Sequence, residues 1–244
     1  MSNLAIIAAH IVEVSPLVRG WRHSRTTAQR HTVEIFEKDH VVVAFAGMGP
    51  IPARIAADTV YKHCGGDVAA LFSVGFAGAL SPDLKVAGLL EPKKIICAVD
   101  ETEIINSTGA GILISAGAVA ATESKAMMAK QFGGDAVDME AYSVADVARI
   151  YGIPFRAVKV ISDELDFPMP PMGRFIDEYG RFRRGSFIIY SLMRPWIWTT
   201  VWQLGRNSSR ATTVLCERLQ QEIERFGATE KNVNPAPQPT EVAR

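Results

Sequence analysis

The sequence lacks three features that would each indicate a particular class of protein. Its three cysteines, Cys64, Cys97 and Cys216, are odd in number and far apart, which argues against a disulfide framework or a zinc knuckle and favours a reduced, cytoplasmic setting. Neither charge is in excess, with 26 basic and 26 acidic residues, so bulk electrostatics gives no support for nucleic-acid binding. The first apolar run, residues 4–9, is short and has no basic residues before it, so it predicts a strand and not a signal peptide.

Apolar runs typical of buried strands alternate with segments of helical spacing. Residues 31–37 alternate between apolar and polar and predict an edge strand, and residues 88–99 predict a long strand with an edge position or bulge at Pro92. The other predicted strands cover residues 4–9, 41–46, 68–74, 112–115, 136–139 and 155–162, and the predicted helices cover 14–21, 51–64, 122–132 (with Thr122 as its cap) and 140–151. This alternation predicts an α/β domain whose mainly parallel sheet is covered on both faces.

The chain changes character after position 166. A proline-containing loop leads into an apolar stretch, residues 187–204, which contains three of the four tryptophans. Pro195 lies within that stretch and is expected to divide two helices. Residues 213–226 have the spacing of an amphipathic helix, and the polar segment after them predicts a disordered tail. We therefore expect a core over 1–166, a helical extension over 167–226 that completes the same domain, and a tail over 227–244.

Two of the predicted strands end in carboxylates. Asp138 and Glu140 follow one strand, and Asp163 follows another directly after Ser162. Ligands bind at the carboxyl ends of strands in open α/β sheets, so we expect Glu140 and Asp163 at one edge. There Glu140 could accept hydrogen bonds from two ribose hydroxyls, and a protonated Asp163 could donate to a departing base. Taken singly, Glu140 could equally be an acid favoured at a helix start by the helix dipole, and the alternative for Asp163 is a helix N-cap.

Glycine-bearing turns are predicted after three buried strands, at residues 47–49, 75–78 and 109–111. Their backbone N–H groups could hold an anion or a sugar hydroxyl, although tight connections explain each turn equally well. Glu13 lies just beyond the first strand and could orient a water, but by itself a surface position on a helix is the better expectation. The five histidines show no ligand spacing, so no metal site is predicted.

Together these segments resemble the purine nucleoside phosphorylase and nucleosidase superfamily. The resemblance is carried by residues 4–9, 47–49, 75–80, 137–141 and 161–163, and it covers about positions 4 to 165. It implies a nucleoside phosphorylase-like mixed sheet, partly barrel-like and flanked by helices. It also implies an enzyme that releases a purine or related base from a ribosyl group, assembles as a homo-oligomer, and needs no cofactor, with water or phosphate as the second substrate.

The resemblance implies roles for individual residues. Asp163 would protonate the leaving base, Met139 would pack on the ribose, Glu140 would bind its hydroxyls, and Glu13 would position the nucleophilic water. Backbone N–H groups of residues 75–78 would line the nucleophile site. The substrate-binding residues are then Gly75, Phe76, Ala77, Gly78, Val119, Asp138, Met139, Glu140 and Ser162.

Two of these positions depart from the family pattern. Phe76 stands where hydrolytic relatives usually carry a small hydroxyl residue beside the nucleophile, so both water and phosphate remain open as nucleophiles. Val119 falls where relatives place an aromatic residue against the base, which implies weaker stacking.

The C-terminal region resembles that of hopanoid-associated phosphorylases, which are thought to remove adenine from adenosylhopane. The resemblance implies a lipid-linked nucleoside as substrate. Tryptophans beside arginine in an apolar stretch are typical of an interfacial membrane segment, so we expect peripheral contact with the inner face of the membrane. A buried helical pair or an oligomer interface is the alternative. The predicted contact residues are Arg194, Trp196, Trp198 and Trp202.

Two other functions fit parts of the sequence. The first is a soluble nucleosidase for methylthioadenosine and S-adenosylhomocysteine, or a futalosine hydrolase, for which the tryptophan-rich stretch has no evident use. The second is a nucleoside-binding protein that has the fold but no activity. The presence of Glu13, Glu140 and Asp163 together argues against that second alternative.

Overall fold

Eleven strands form one mixed sheet in the computed structural model, which describes residues 2–106 and 108–233. In chain order they are β1 (Asn3–Ile7), β2 (Arg22–Ala28), β3 (His31–Lys38), β4 (Val41–Phe45), β5 (Val68–Ala79), β6 (Leu89–Leu90), β7 (Lys94–Cys97), β8 (Glu103–Ile105), β9 (Ile112–Ser115), β10 (Ala136–Asp138) and β11 (Phe155–Asp163). The helices are α1 (Ile11–Val14), α2 (Pro50–His63), α3 (Thr122–Phe132), α4 (Ala141–Tyr151), α5 (Arg184–Leu192) and α6 (Trp198–Val233), with 3₁₀ turns at Met172–Phe175 and Pro195–Ile197. The predicted α/β fold with C-terminal helices is confirmed.

The sheet branches at β5. The strand order is β2-β3-β4-β1-β5-β10-β9-β7-β8, and β11 pairs with β5 outside this path. β5 runs parallel to β1 in its first half and parallel to β11 between Leu71 and Gly78, and its end pairs antiparallel with β10. The ends of β10 and β11 therefore meet beside β5, and this junction brings their carboxylates together.

The apolar run of β1 is explained by cover on both faces of the sheet. Ala5 and Ile7 pack in one core cluster with residues of α2 and α4, whereas Leu4 and Ile6 pack in another with Leu215 of α6. Each of the four β1 side chains is at most 1% exposed. A strand with apolar neighbours on both sides has no reason to alternate, which is why continuous runs predict such strands.

Several predicted strands need correction. Residues 31–37 do not form an edge, because β2 pairs with β3 on its outer side. Residues 75–78 are not a turn but belong to β5, which continues through them to pair with β10 and β11. The long strand predicted over 88–99 is two short strands, β6 and β7, because Pro92 lies between them and has no N–H to donate.

The helices also differ from prediction in places. The helix predicted over 14–21 does not form, because α1 ends at Val14 and turns follow it over 15–20. Thr122 does not cap α3; Ala121 holds the N-cap position, while the Thr122 hydroxyl donates to the carbonyl of Phe167. Beyond the 3₁₀ turn that Pro195 begins, α6 runs unbroken to Val233, so it includes the start of the predicted tail. The rest of that tail, 234–244, lies outside the described residues.

The C-terminal helices lie against the core and not apart from it. Arg156 of β11 and Arg218 of α6 both pair with Glu91, and Arg156 also pairs with Glu222 at 2.5 Å. This ion-pair network and the apolar face of α6 hold the helix against the sheet. Within residues 2–106 and 108–233, no helix is both long and apolar enough to span a bilayer.

Candidate active site

A cavity of about 460 Å³ lies where β5, β10 and β11 end, and we call it the central cavity. All the predicted catalytic and substrate-binding residues line it except Gly75. Its polar wall comes from the predicted strand ends, and its other walls come from the loop after β9 and from α5 and α6. The predicted residues that line it are Glu13, Phe76, Ala77, Gly78, Val119, Asp138, Met139, Glu140, Ser162 and Asp163.

Glu140 is the N-cap residue of α4, and its carboxylate is held by backbone groups. Gly49 N–H donates to Oε1 at 2.8 Å, and Met139 N–H donates to Oε2 at 3.2 Å. Each oxygen can accept a further hydrogen bond from a group in the cavity. Burial, followed by the neighbouring Asp138 charge, raises the pKa of Glu140 to about 7. The carboxyl is therefore poised between its two protonation states near neutral pH.

Asp138 makes contacts that hold the backbone next to Glu140 in place. Its Oδ1 accepts from the Ser115 hydroxyl at 2.5 Å, and its Oδ2 accepts from Ala141 N–H at 2.8 Å. Oδ2 also lies 2.8 Å from Nζ of Lys159, and both side chains of this ion pair are fully buried. These contacts fix the turn from β10 into α4, and that turn presents Glu140 to the cavity.

Lys159 is the buried cation that compensates the carboxylates of the site. Burial alone would lower its pKa, but the negative charges of Asp138, Glu140 and Glu13 together raise it. A buried charge is tolerated where an opposite charge lies beside it, as Asp138 does here. Lys159 therefore helps to make the burial of three neighbouring acids tolerable.

Glu13 is buried and accepts three backbone hydrogen bonds. Ala9 and His10 N–H groups donate to Oε2 at 2.8 and 3.1 Å, and Phe76 N–H donates to Oε1 at 2.9 Å. Burial raises the pKa of Glu13 against the opposing effects of these N–H groups and of Lys159. The carboxylate thus joins the start of α1 to β5. The Phe76 N–H, expected to face a nucleophile, binds Glu13 instead.

Gly75 makes room for that carboxylate. Its φ of +139° is one that L side chains rarely adopt, and a Cβ there would lie 2.6 Å from Oε1 of Glu13. Gly75 does not line the central cavity. The residue therefore acts on the site by leaving space for Glu13.

Asp163 lies at the end of β11 and is 3% exposed. The Ser162 hydroxyl donates to its Oδ1 at 2.6 Å, and the Lys125 ammonium donates to its Oδ2. Both oxygens therefore have partners within the protein. Gly78 lies against the pair, because a Cβ there would be 2.9 Å from Asp163 Oδ2 and from Lys125 Cε.

The wall formed by α5 and α6 is mostly apolar, although Arg184 and Ser208 also line it. Phe187 and Ile188 of α5 and Val201 and Leu204 of α6 contribute to it. Ile188 is also 55% exposed, so the cavity adjoins the outer surface of these helices. The C-terminal extension is therefore part of the site and not a separate appendage.

The outer surface of α5, the following turn and the start of α6 exposes large apolar side chains, and we call it the Trp face. Its tryptophans are between 51% and 73% exposed, which does not fit the alternative of a buried helical pair. The Arg194 guanidinium stacks on the ring of Tyr190 at 3.8 Å. The Trp face comprises Ile188, Ile189, Leu192, Met193, Trp196, Trp198 and Trp202.

Comparisons with known proteins agree with this architecture. Residues 103–178, which include Met139, Glu140 and Asp163, match the family model described as the phosphorylase superfamily. Among solved structures, the chain is similar to the futalosine hydrolase of Helicobacter pylori strain 26695, with 16% identity, 92% of this chain and 98% of that chain covered, and a TM-score of 0.66. The chain has the nucleosidase fold.

Other nucleosidases give similar values. A 5'-methylthioadenosine/S-adenosylhomocysteine nucleosidase of H. pylori matches with 16% identity, 92% of this chain and 98% of that chain covered, and a TM-score of 0.66. The corresponding nucleosidase of Campylobacter jejuni matches with 16% identity, 91% and 100% coverage, and a TM-score of 0.62. The fold and the family match together support the prediction of an enzyme of the phosphorylase and nucleosidase type.

Sequence reasoning missed two buried lysines of this site. Lys125 lies in α3 and Lys159 lies in β11, and each is at most 1% exposed. A lysine in such a segment is normally expected at the surface. The signal available was the position of Lys159 between apolar residues of its strand, four residues before Asp163; nothing in the pattern around Lys125 indicated burial.

Proposed function

We propose that this protein cleaves the N-glycosidic bond of a purine nucleoside. The observation that carries the proposal is that Glu140, Met139 and Asp163, from the ends of two strands, line one cavity. A ribose bound by Glu140 would lie beside the carboxylates, and its base would extend toward Asp163. This arrangement suits a reaction in which positive charge develops on the sugar and negative charge on the base.

The proposed roles follow from that charge distribution. As the bond from C1′ to the base nitrogen breaks, its electron pair moves to the base, and a proton delivered by Asp163 neutralises the developing anion. The carboxylate of Glu140 binds ribose hydroxyls and stabilises the oxocarbenium-like sugar. Water or phosphate then attacks C1′, and Glu13 would orient it from the side of β5.

The finer proposal is that the substrate is lipid-linked adenosylhopane, cleaved at the inner face of the membrane. It is supported by the apolar wall from α5 and α6, which offers contacts to a large apolar group on the ribose. It is also supported by the position of Ile188, where the cavity adjoins the Trp face. A long apolar 5′ substituent could leave the cavity there.

The alternative is a nucleosidase for small soluble substrates. It is favoured by the fold, because structures with this fold include a futalosine hydrolase and methylthioadenosine/S-adenosylhomocysteine nucleosidases. Under this alternative, the Trp face would form an interface between copies of the chain, as expected for a homo-oligomer.

Substrate preference distinguishes the two proposals. We expect faster adenine release from an adenosine with a long alkyl group at the 5′ position than from methylthioadenosine, because the alkyl group would bury the side chains of Phe187 and Leu204. Adenine release is measured for both nucleosides with and without phosphate, and phosphate dependence identifies the nucleophile. A preference for methylthioadenosine would support the alternative, and release of adenine from neither would contradict the reaction class.

Vesicle binding tests the membrane proposal. Replacing Trp196, Trp198 and Trp202 together by serine is expected to weaken binding to vesicles at least about tenfold, because amphipathic aromatic rings anchor proteins at the interface. Binding is measured by co-sedimentation with liposomes. The matched control replaces Ile51 and Val99, which are 63% and 81% exposed and lie far from this face in sequence, by serine.

Two results would count against membrane contact. The first is that the unmodified protein does not bind vesicles at all. The second is that the triple variant binds as well as the unmodified protein but loses a dimer seen by analytical ultracentrifugation. That second result would assign the Trp face to contact between subunits.

A further inference from the structure

We propose that Lys125 supplies the proton that Asp163 delivers to the leaving base. The proposal rests on the proposed function, because it concerns how that reaction obtains its acid. The sequence analysis did not predict a role for Lys125. Because Lys125 acts through Asp163 and does not contact the base itself, it is a positioning residue for the proton transfer.

The Lys125 side chain extends from α3 to the end of β11 and is 1% exposed. Its Nζ donates to Oδ2 of Asp163, to the carbonyl of Glu164 at 2.7 Å and, at a longer 3.4 Å, to the carbonyl of Asp163. Three acceptors surround an amine that has three N–H groups when charged. A charged Lys125 therefore has an acceptor for each of its N–H groups.

Within the described residues, the side chain of Asp163 acts only as a hydrogen-bond acceptor. Its two oxygens accept hydrogen bonds from Ser162 and Lys125, an arrangement that suits a carboxylate. A general acid, however, must have a proton to give. Of the two groups that donate to Asp163 in the described part of the chain, only the Lys125 ammonium is an acid that can readily give up a proton.

The proposed step conserves every proton and electron pair. The electron pair of the breaking C1′–N bond moves to the base. One proton passes from Lys125 Nζ to Oδ2 of Asp163 and from there to a nitrogen of the base. The products are a neutral base, an Asp163 carboxylate and a neutral Lys125 amine, which regains its proton from water once the base has left.

Two observations indicate that the Lys125–Asp163 pair does more than fill space in the core. Both side chains line the central cavity, so the pair lies where the base would bind. A buried ion pair is also weak evidence for stability, since apolar residues of similar volume often serve a core as well or better. An ammonium in this position is of most use to a reaction that needs a proton.

The test compares substrates that differ in their need for a proton. Lys125→Met is expected to slow adenine release from the preferred adenosine about a hundredfold, because general-acid catalysis typically contributes this much or more. The same variant should cleave 4-nitrophenyl riboside within about threefold of the unmodified protein, because nitrophenolate leaves without protonation. Lys130→Met, an exposed position on the same helix, is the matched control.

Two further variants keep the test decisive. Lys125→Arg retains the charge but cannot be deprotonated in a protein, so it should remain slow with the adenosine. Lys125→Ala should recover activity when ethylamine is added, provided that circular dichroism shows it folded. Equal slowing of both substrates in the methionine variant, or full activity in the arginine variant, would overturn the role of Lys125. Failure of the unmodified protein to cleave either substrate would instead overturn the proposed function.

Discussion

Replacing Asp163 by asparagine is expected to slow base release at least about a hundredfold while the chain still folds. Asparagine has nearly the same shape as aspartate, so it can keep the contact with Ser162 that fixes the side chain. It cannot receive a proton from Lys125 and pass it to a base. The bond to the base would then have to break with little help to the leaving group.

Stability has to be measured alongside activity in this variant. The exchange leaves the buried Lys125 ammonium without its carboxylate, and an uncompensated buried charge costs about 3–5 kcal/mol. Chemical denaturation monitored by circular dichroism gives the free energy of unfolding, and turnover is measured only where the variant is folded. Asp166→Asn, three residues further on and exposed, is the control. A folded Asp163→Asn variant with unchanged turnover would remove Asp163 from the mechanism.

The fold was predictable because most strands are buried on both faces. Residues 4–9 and 41–46 are continuous apolar runs, and their strands β1 and β4 pair side by side under helices. β2 was missed because almost all of its side chains are exposed and polar. Its place in the sheet depends on pairing with β3, where Glu34 binds both His23 and Arg25. Such cross-strand contacts leave no periodic signal in one sequence.

The part of the site that lies at strand ends was predictable from the sequence. Glu140 and Asp163 line one cavity because the strands before them both pair with the end of β5. Glu13 looked like a surface residue because its burial depends on N–H groups from its own turn and from Phe76, 63 residues away. Local pattern carries no information about contacts at that separation.

The buried cations were not predictable for the same reason. Lys125 meets Asp163 across 38 residues of sequence, through helix packing that no spacing rule specifies. Lys159 could be recognised as unusual between its apolar neighbours Val158 and Val160, but its partner Asp138 could not be identified. Pairing of buried charges depends on tertiary contacts. It is the feature of this site that differs most from what the residue types alone predict.

Replacing Glu140 by glutamine is expected to lower kcat/KM for a ribonucleoside at least about a hundredfold. A carboxylate can accept from two ribose hydroxyls, and hydrogen bonds to a charged group are each worth about 1.5–3 kcal/mol. Glutamine has one acceptor oxygen, and its amide group would face a backbone N–H of Gly49 or Met139. The negative charge that stabilises the sugar cation is also lost.

A 2′-deoxy substrate shows whether the loss occurs at the hydroxyls. The unmodified protein should prefer the ribonucleoside to its 2′-deoxy analogue, and this preference should largely disappear in Glu140→Gln. Rates with both substrates are measured for both proteins and for Glu123→Gln, an exposed control. An undiminished preference in the glutamine variant would mean that Glu140 does not bind the 2′-hydroxyl.

The pH dependence of the unmodified protein provides an independent test. Burial raises the pKa of Glu140 from its ordinary value of 4.5 to about 7, so kcat/KM should rise with pH through about 7 as the carboxylate forms. The same shift has the opposite effect on stability. The folded state holds a proton that the unfolded state releases, so this contribution to stability is complete below about 4.5 and is lost as pH rises through about 7.

Activity and stability should therefore change in opposite directions over one pH window. Denaturation at pH 5 and pH 8 should show a larger loss of stability in the unmodified protein than in Glu140→Gln, which has no charge to bury at this position. Equal losses in the two proteins would place the titrating group elsewhere. A carboxylate whose ionisation lowers stability in the same pH range in which it raises activity is expected of a substrate-binding group. An acid that only caps α4 is not expected to behave in this way.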